Sequence, residues 1–138
     1  DGQQVMVVFH GPHTYVSPTW YQAEDTVPTW DYVAVHATGV FKTMEDRSDL
    51  EDSVGRLTGQ HEASQPKPWQ PDFSTTYSDQ MLKRIVAFEI EITSLQGKWK
   101  LNQNHPEERR RLVSEQLKTL GGEANVQIAG LIDEDMVG

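Results

Sequence analysis

The stretch HGPHTYVSPTWY, residues 10–21, sets His10 and His13 on either side of a Gly-Pro corner and then brings in Ser17, Trp20 and Tyr21. Imidazoles at this spacing could ligate a metal or, with His36 as a further candidate, a haem iron. No carboxylate stands at a metal-motif spacing from the pair, so the plainer reading is a turn histidine among surface histidines, and no metal site is expected. Ser17 is followed by Pro18, and no Gly-x-Ser-x-Gly elbow occurs, which disfavours a serine nucleophile. The acidic runs EDRSDLED and DEDM have the character of solvated faces rather than paired catalytic carboxylates.

The aromatics say more. Trp20, Tyr21, Trp30, Tyr32, Trp69 and Trp99 lie at strand edges or in loops beside polar residues. Large rings with a polar handle favour half-wet sites. They could wall a planar ligand such as a flavin or haem, or fill a barrel rim or a subunit contact. In GKWKLNQN (97–104), Lys98 and Lys100 share a face if the segment is extended, and a helix start follows at Asn104–Pro106. Two ammonium groups beside a helix N-terminus could hold a phosphate. A solvated strand end is the alternative.

The chain that must position these residues has 138 residues and fits one domain. A formal net charge of −9 opposes nucleic-acid phosphates and anionic membranes. With no cysteine, disulfides, thiolate nucleophiles and cysteine-ligated metals are excluded, and a reducing cytoplasm is compatible. No apolar run reaches the length of a membrane span, and no secretory leader pattern opens the sequence. The opening Asp-Gly runs straight into a strand, as if the first half of a hairpin lay upstream.

Residues 5–9 and 13–17 read as a hairpin broken at His10–Pro12, and 29–42 as a long strand with both faces covered. Residues 47–63 read as a helix with a Ser48–Glu51 capping box and Leu50, Val54, Leu57 and His61 on one face. The proline-rich segment 64–72 is an extended loop, and 77–84 a short helix. Residues 85–93 alternate as a strand, with Val86, Phe88, Ile90 and Ile92 inward and Glu89 and Glu91 outward, turning at Gly97. Helix 105–122 is capped by Asn104, presents Leu112, Leu117 and Leu120, and stops at Gly121-Gly122. A weaker helix covers 124–137. The expected class is mainly β with peripheral helices; the hairpin order of strands argues against a Rossmann or P-loop architecture.

Taken together, HGPHTYVSPTWY, VPTWDYVAVHATG, LTGQHEASQPKPW and GKWKLNQN resemble, in order and spacing, the PaiB family of FMN-binding split-barrel proteins described as negative transcriptional regulators. The resemblance spans residues 5–115. It implies a six-stranded antiparallel split β-barrel, with residues 1–138 as a single domain forming the C-terminal two-thirds of a PaiB-like protein and the first barrel strands lying upstream. It further implies a cytoplasmic homodimer through the barrel, with FMN in the groove between subunits. The family's Ser-Pro-x-Trp-Tyr segment falls on Ser17, Trp20 and Tyr21, and its Pro-Thr-Trp-x-Tyr segment on Trp30 and Tyr32, with Asp31 where Asn is commoner. Its Gly-Lys-x-Lys-x-x-Gln-Asn segment falls on Lys98, Lys100, Gln103 and Asn104. These nine residues are the expected cofactor contacts. The functions implied are an FMN-binding transcriptional regulator or flavin-dependent sensor, or alternatively a flavin-dependent oxidoreductase or a haem-binding or haem-degrading enzyme on the same scaffold. Direct DNA contact sits poorly with the acidic charge.

Overall fold

The computed structural model describes residues 1–137. Three long strands, β1 (Gln4–Val16), β2 (Thr29–Met44) and β3 (Ala87–Lys100), form an open antiparallel sheet in the order β1-β2-β3. Four helices accompany it: α1 (Arg47–Glu62), α2 (Thr76–Leu82), α3 (Glu107–Leu120) and α4 (Glu123–Val137). A 3₁₀ turn, Pro18–Tyr21, follows β1. The helical share is larger than a mainly β chain would carry, and the strands seen here make a sheet rather than a closed barrel. The chain divides into two compact units, one of Asp1–Val5 with Thr38–Thr93, the other of Met6–Ala37 with the chain from Ser94 onward.

Two expected turns are absent because the strands run through them. β1 continues across Gly11 and Pro12. It is an edge strand in this sheet, where a proline's missing N–H goes unnoticed. A side chain at Gly11 would also press on Val33, with a Cβ about 3.2 Å from its carbonyl oxygen. The hairpin therefore joins β1 to β2 through residues 17–28. β3 likewise passes Gly97 and ends at Lys100.

In the first unit, Gly39 of β2 lies against β3. A Cβ there would sit 2.7 Å from Ile90 Cγ2 and 2.8 Å from the backbone carbon of Glu91. The Phe41 and Phe88 rings meet at 5.3 Å, and Lys42 Nζ donates to Glu91 Oε2 at 2.7 Å. Phe88 and Ile92, expected inward, are more than half exposed. The capping box does not form: Asp46 stands at the N-cap of α1 without a side-chain bond, and Glu51 instead accepts from Arg47 Nε at 2.6 Å. No residue of α1 is buried, so the face through Leu50, Val54, Leu57 and His61 does not build a core. α2 is capped by Thr75, whose Oγ1 accepts from the Ser78 N–H at 3.1 Å, and the Arg47 guanidinium donates to Asp79 and to the Phe73 carbonyl.

The second unit holds a true core of Val16, Tyr21, Leu101, Val113, Leu117, Ile128, Ala129 and Ile132. Each fully buried aliphatic side chain contributes about 1.5–3 kcal/mol. The buried stripe of α3 runs through Arg110, Val113, Ser114 and Leu117, shifted from the expected leucine face, and Leu120 is exposed. Asn104 does not cap α3; Pro106 occupies the N-cap and Glu107 and Glu108 fill the first turn. Gly121 and Gly122, at φ +67° and +83°, end α3 and start α4. The two helices are cross-tied: Ser114 Oγ donates to Asp133 Oδ1 at 2.7 Å, and Arg110 Nη2 to Asp135 Oδ2 at 2.5 Å.

Candidate functional site

All nine expected contact residues belong to the second unit. They divide by role. Ser17 follows β1 and caps the 3₁₀ turn, its Oγ accepting from the Thr19 N–H at 3.3 Å. That turn sends Trp20 against the core and buries Tyr21, which is 2% exposed and stacks on His105 at 4.6 Å. Strand alternation then separates the next three residues. Trp30 stands 54% exposed, Asp31 is fully buried, and Tyr32 is half-buried. The Trp30 ring is flanked by His13 at 6.2 Å and by Tyr15, edge-on, at 5.9 Å.

Lys98 is exposed near the end of β3. Lys100, half-buried, donates to Thr29 Oγ1 and, at 2.7 Å, to the Trp30 carbonyl. An ammonium carries three donors, so one stays available for an anion. Gln103 ties the turn after β3 by accepting from the Leu101 N–H at 2.8 Å and donating to the Trp99 carbonyl at 2.9 Å. Asn104 is exposed. Gly97 lets the Trp99 ring fold back over the strand: a Cβ at position 97 would meet that ring.

Asn102 holds these pieces together, and it is absent from the expected contacts. It is 3% exposed and adopts φ +60°, a left-handed conformation asparagine tolerates. Its Nδ2 donates to Asp31 Oδ2 at 2.6 Å, and its Oδ1 accepts from Tyr21 O–H at 2.9 Å. One side chain thus joins the 17–21 turn, the 30–32 strand segment and the 100–104 turn. The only sequence signal for it is a pair of asparagines just past a strand end, which does not say which one turns inward. Asp31 carries a clearer signal, as the one charged residue among residues 29–41.

The electrostatics follow from burial. Desolvation pushes the Asp31 carboxyl up to about 6, against the opposing pull of Lys100, Arg110 and the Asn102 bond. The Tyr21 phenol is pushed up to about 12, first by burial and then by the Asp31 charge. His105 is lowered by desolvation and by the nearby Arg109 and Lys100 cations. The surface built in this way pairs an exposed aromatic group with ammonium groups. That combination suits an anionic ligand with a flat ring, so the residues fit a flavin phosphate ester such as FMN.

Comparison with known proteins agrees with that chemistry. Residues 1–94 match a domain family described as "Putative FMN-binding domain". The chain is 33% identical over 136 residues to the Protease synthase and sporulation protein PAI 2 of Bacillus subtilis, an alignment covering 97% of this chain and 64% of that protein. It is 34% identical over 147 residues to an uncharacterized protein of Emericella nidulans, covering 95% and 59% respectively. An uncharacterized protein of Aspergillus fumigatus is 31% identical over 152 residues, covering 95% and 58%. The chain thus spans less than two thirds of the length of these relatives. The domain match stops short of Lys98–Asn104, but the Bacillus alignment runs through it. The chain belongs to the PaiB-like family of FMN-binding domains, and FMN is its cofactor.

Proposed function

We propose that this chain is the flavin-holding part of a homodimeric regulator or flavin-dependent sensor. The observation that carries the reading is the exposed His13–Trp30–Tyr15 cluster, in the same compact unit as Lys98 and Lys100. In this reading Lys98 and Lys100 hold the FMN phosphate, and Trp30 and Tyr32 line its ring. Gln103 and Asn104 present the turn beside it, and Ser17, Trp20 and Tyr21 brace the site from behind. FMN, when bound, supplies one- and two-electron redox capacity. The protein residues bind it, orient it and limit water around it.

Several facts support the finer points. Met6, Phe9, Tyr15 and Trp30 are all exposed, an apolar display that monomers rarely leave uncovered, which supports a dimer. The Bacillus relative is named a protease synthase and sporulation protein, and a link to sporulation supports a regulatory role. A net charge of −9 speaks against direct reading of DNA and for an output through a protein partner or metabolite.

The test is FMN titration of the full-length protein, followed by quenching of flavin fluorescence, with light scattering for its mass. Lys98→Ala and Lys100→Ala should each weaken binding about ten- to a hundredfold, since a charge-assisted hydrogen bond is worth about 1.5–3 kcal/mol. Trp30→Ala should reduce the quenching. A protein that binds no FMN, or whose double lysine variant binds it unchanged, would refute the reading.

A further inference from the structure

Behind the candidate site lies an ionisable group that the flavin reading leaves idle. The Asp31 carboxyl is fully buried. Its Oδ2 accepts one bond, from the neutral amide of Asn102, and its Oδ1 meets no donor among the described residues. Two cations act on it from the elements packed around it, Lys100 at the end of β3 and Arg110 in α3. Neither forms an ion pair with it among the described residues. Lys100 is tied to Thr29 and to the carbonyl of Trp30, and Arg110 to Asp135 and the Ile132 carbonyl. The Tyr21 phenol completes the cluster, with His105 and Arg109 beside it.

A buried carboxylate without a direct ionic partner acts on its surroundings through its field, which a low-dielectric interior screens poorly. The nearest group of the site to feel it is the Lys100 ammonium. A negative charge held there subtracts from the pull of Lys100 on any anion. We propose that Asp31 sets the anion affinity of the site: ionised, it weakens the grip of Lys100 on a phosphate, and uncharged, it restores that grip. The inference rests on the flavin reading, because it takes the FMN phosphate as the anion. Burial places the Asp31 transition at about 6, close to neutrality. By reciprocity, a phosphate on Lys100 disfavours ionised Asp31, so FMN binding draws a proton onto it.

The experiment titrates full-length wild-type protein and Asp31→Asn with FMN, and with riboflavin, which lacks the phosphate, between about pH 5 and about pH 8. Asparagine keeps an acceptor for Asn102 but cannot ionise. At the upper end the variant should bind FMN at least about fivefold more tightly than wild type. At the lower end the two should converge, while riboflavin affinities stay equal throughout. Comparing the two proteins at each pH cancels titration of the FMN phosphate itself. An FMN ratio near one at all pH values, or riboflavin affinities that shift equally, would overturn the inference, the latter by assigning Asp31 a purely structural role. Urea denaturation without ligand supplies a flavin-independent readout. A raised carboxyl pKa means the folded state favours the neutral form, so wild type loses stability as pH rises from about 4 through about 6 and Asp31→Asn does not. If neither protein binds FMN, the flavin reading and this inference fall together while that stability difference remains.

Discussion

Replacing Asn102 with alanine tests whether one buried amide organises the second unit. The substitution removes both side-chain bonds, to Asp31 at 2.6 Å and from Tyr21 at 2.9 Å. It leaves a 0%-exposed carboxyl oxygen and a 2%-exposed phenol without their partner. Each unpaired buried group costs about 1–3 kcal/mol. Position 102 sits at φ +60°, where alanine is disfavoured by about 1 kcal/mol more than asparagine. The expected loss is therefore about 3–7 kcal/mol, a large part of the roughly 5–15 kcal/mol typical of a folded domain. Urea denaturation followed by tryptophan fluorescence reads this as a lower midpoint at an unchanged slope. Asn102→Gly separates the two contributions, because glycine accepts the left-handed backbone but makes neither bond. It should recover about 1 kcal/mol relative to alanine. A loss below about 1 kcal/mol for the alanine variant, or a glycine variant no better than alanine, would refute the reasoning.

Two further substitutions probe the packing of each unit in turn. Gly39→Ala drives a Cβ into the backbone of Glu91, which cannot swing aside as a flexible side chain would. It should cost about 3 kcal/mol or more by parting β2 from β3, and faster amide exchange at residues 38–42 and 89–93 would show it. Arg110→Met removes a buried guanidinium that faces Asp135 and helps keep Asp31 ionised. It should destabilise the protein by about 1–3 kcal/mol at neutral pH and less in mild acid, where Asp31 takes up a proton; equal losses in urea at both pH values would contradict this.

The strands were legible because their side-chain chemistry is local. The run 29–42, whose only charges are Asp31 and Lys42, lies inside a real strand, and the alternating run 85–93 overlaps one from Ala87, although the structure extends them to Met44 and Lys100. The misreadings came where a neighbouring strand decides. Gly11-Pro12 looks like a corner from sequence, yet an edge strand passes it without penalty. Gly97 looks like a turn, yet it is the space over which Trp99 folds. The helix starts erred for a related reason: Ser48 and Asn104 are good caps by type, but the chain enters α1 and α3 a residue or two away, at Asp46 and Pro106. Within the candidate site, the motif residues on strand faces could be read as a set. The buried tie through Asn102 could not, because its partners lie 71 and 81 positions away in the chain.

That tie also joins the three motifs into one arrangement. Each strand segment has two sides, and in Trp30–Tyr32 they serve different ends. Trp30 faces outward among His13 and Tyr15, while Asp31 between it and Tyr32 faces the core and Asn102. The turn after β3 repeats the division. Lys98, Gln103 and Asn104 are exposed and Leu101 and Asn102 are buried, with Lys100 between the two. The outward residues therefore have a fixed geometry only as long as the inward ones keep their bonds. A buried charge at position 31 adds a second consequence. It lowers stability at neutral pH, and in the same place it bears on the cation best positioned to meet an anion. Stability and anion affinity are thus governed by the same proton, and the side chain carrying it lies wholly on the closed face of the sheet.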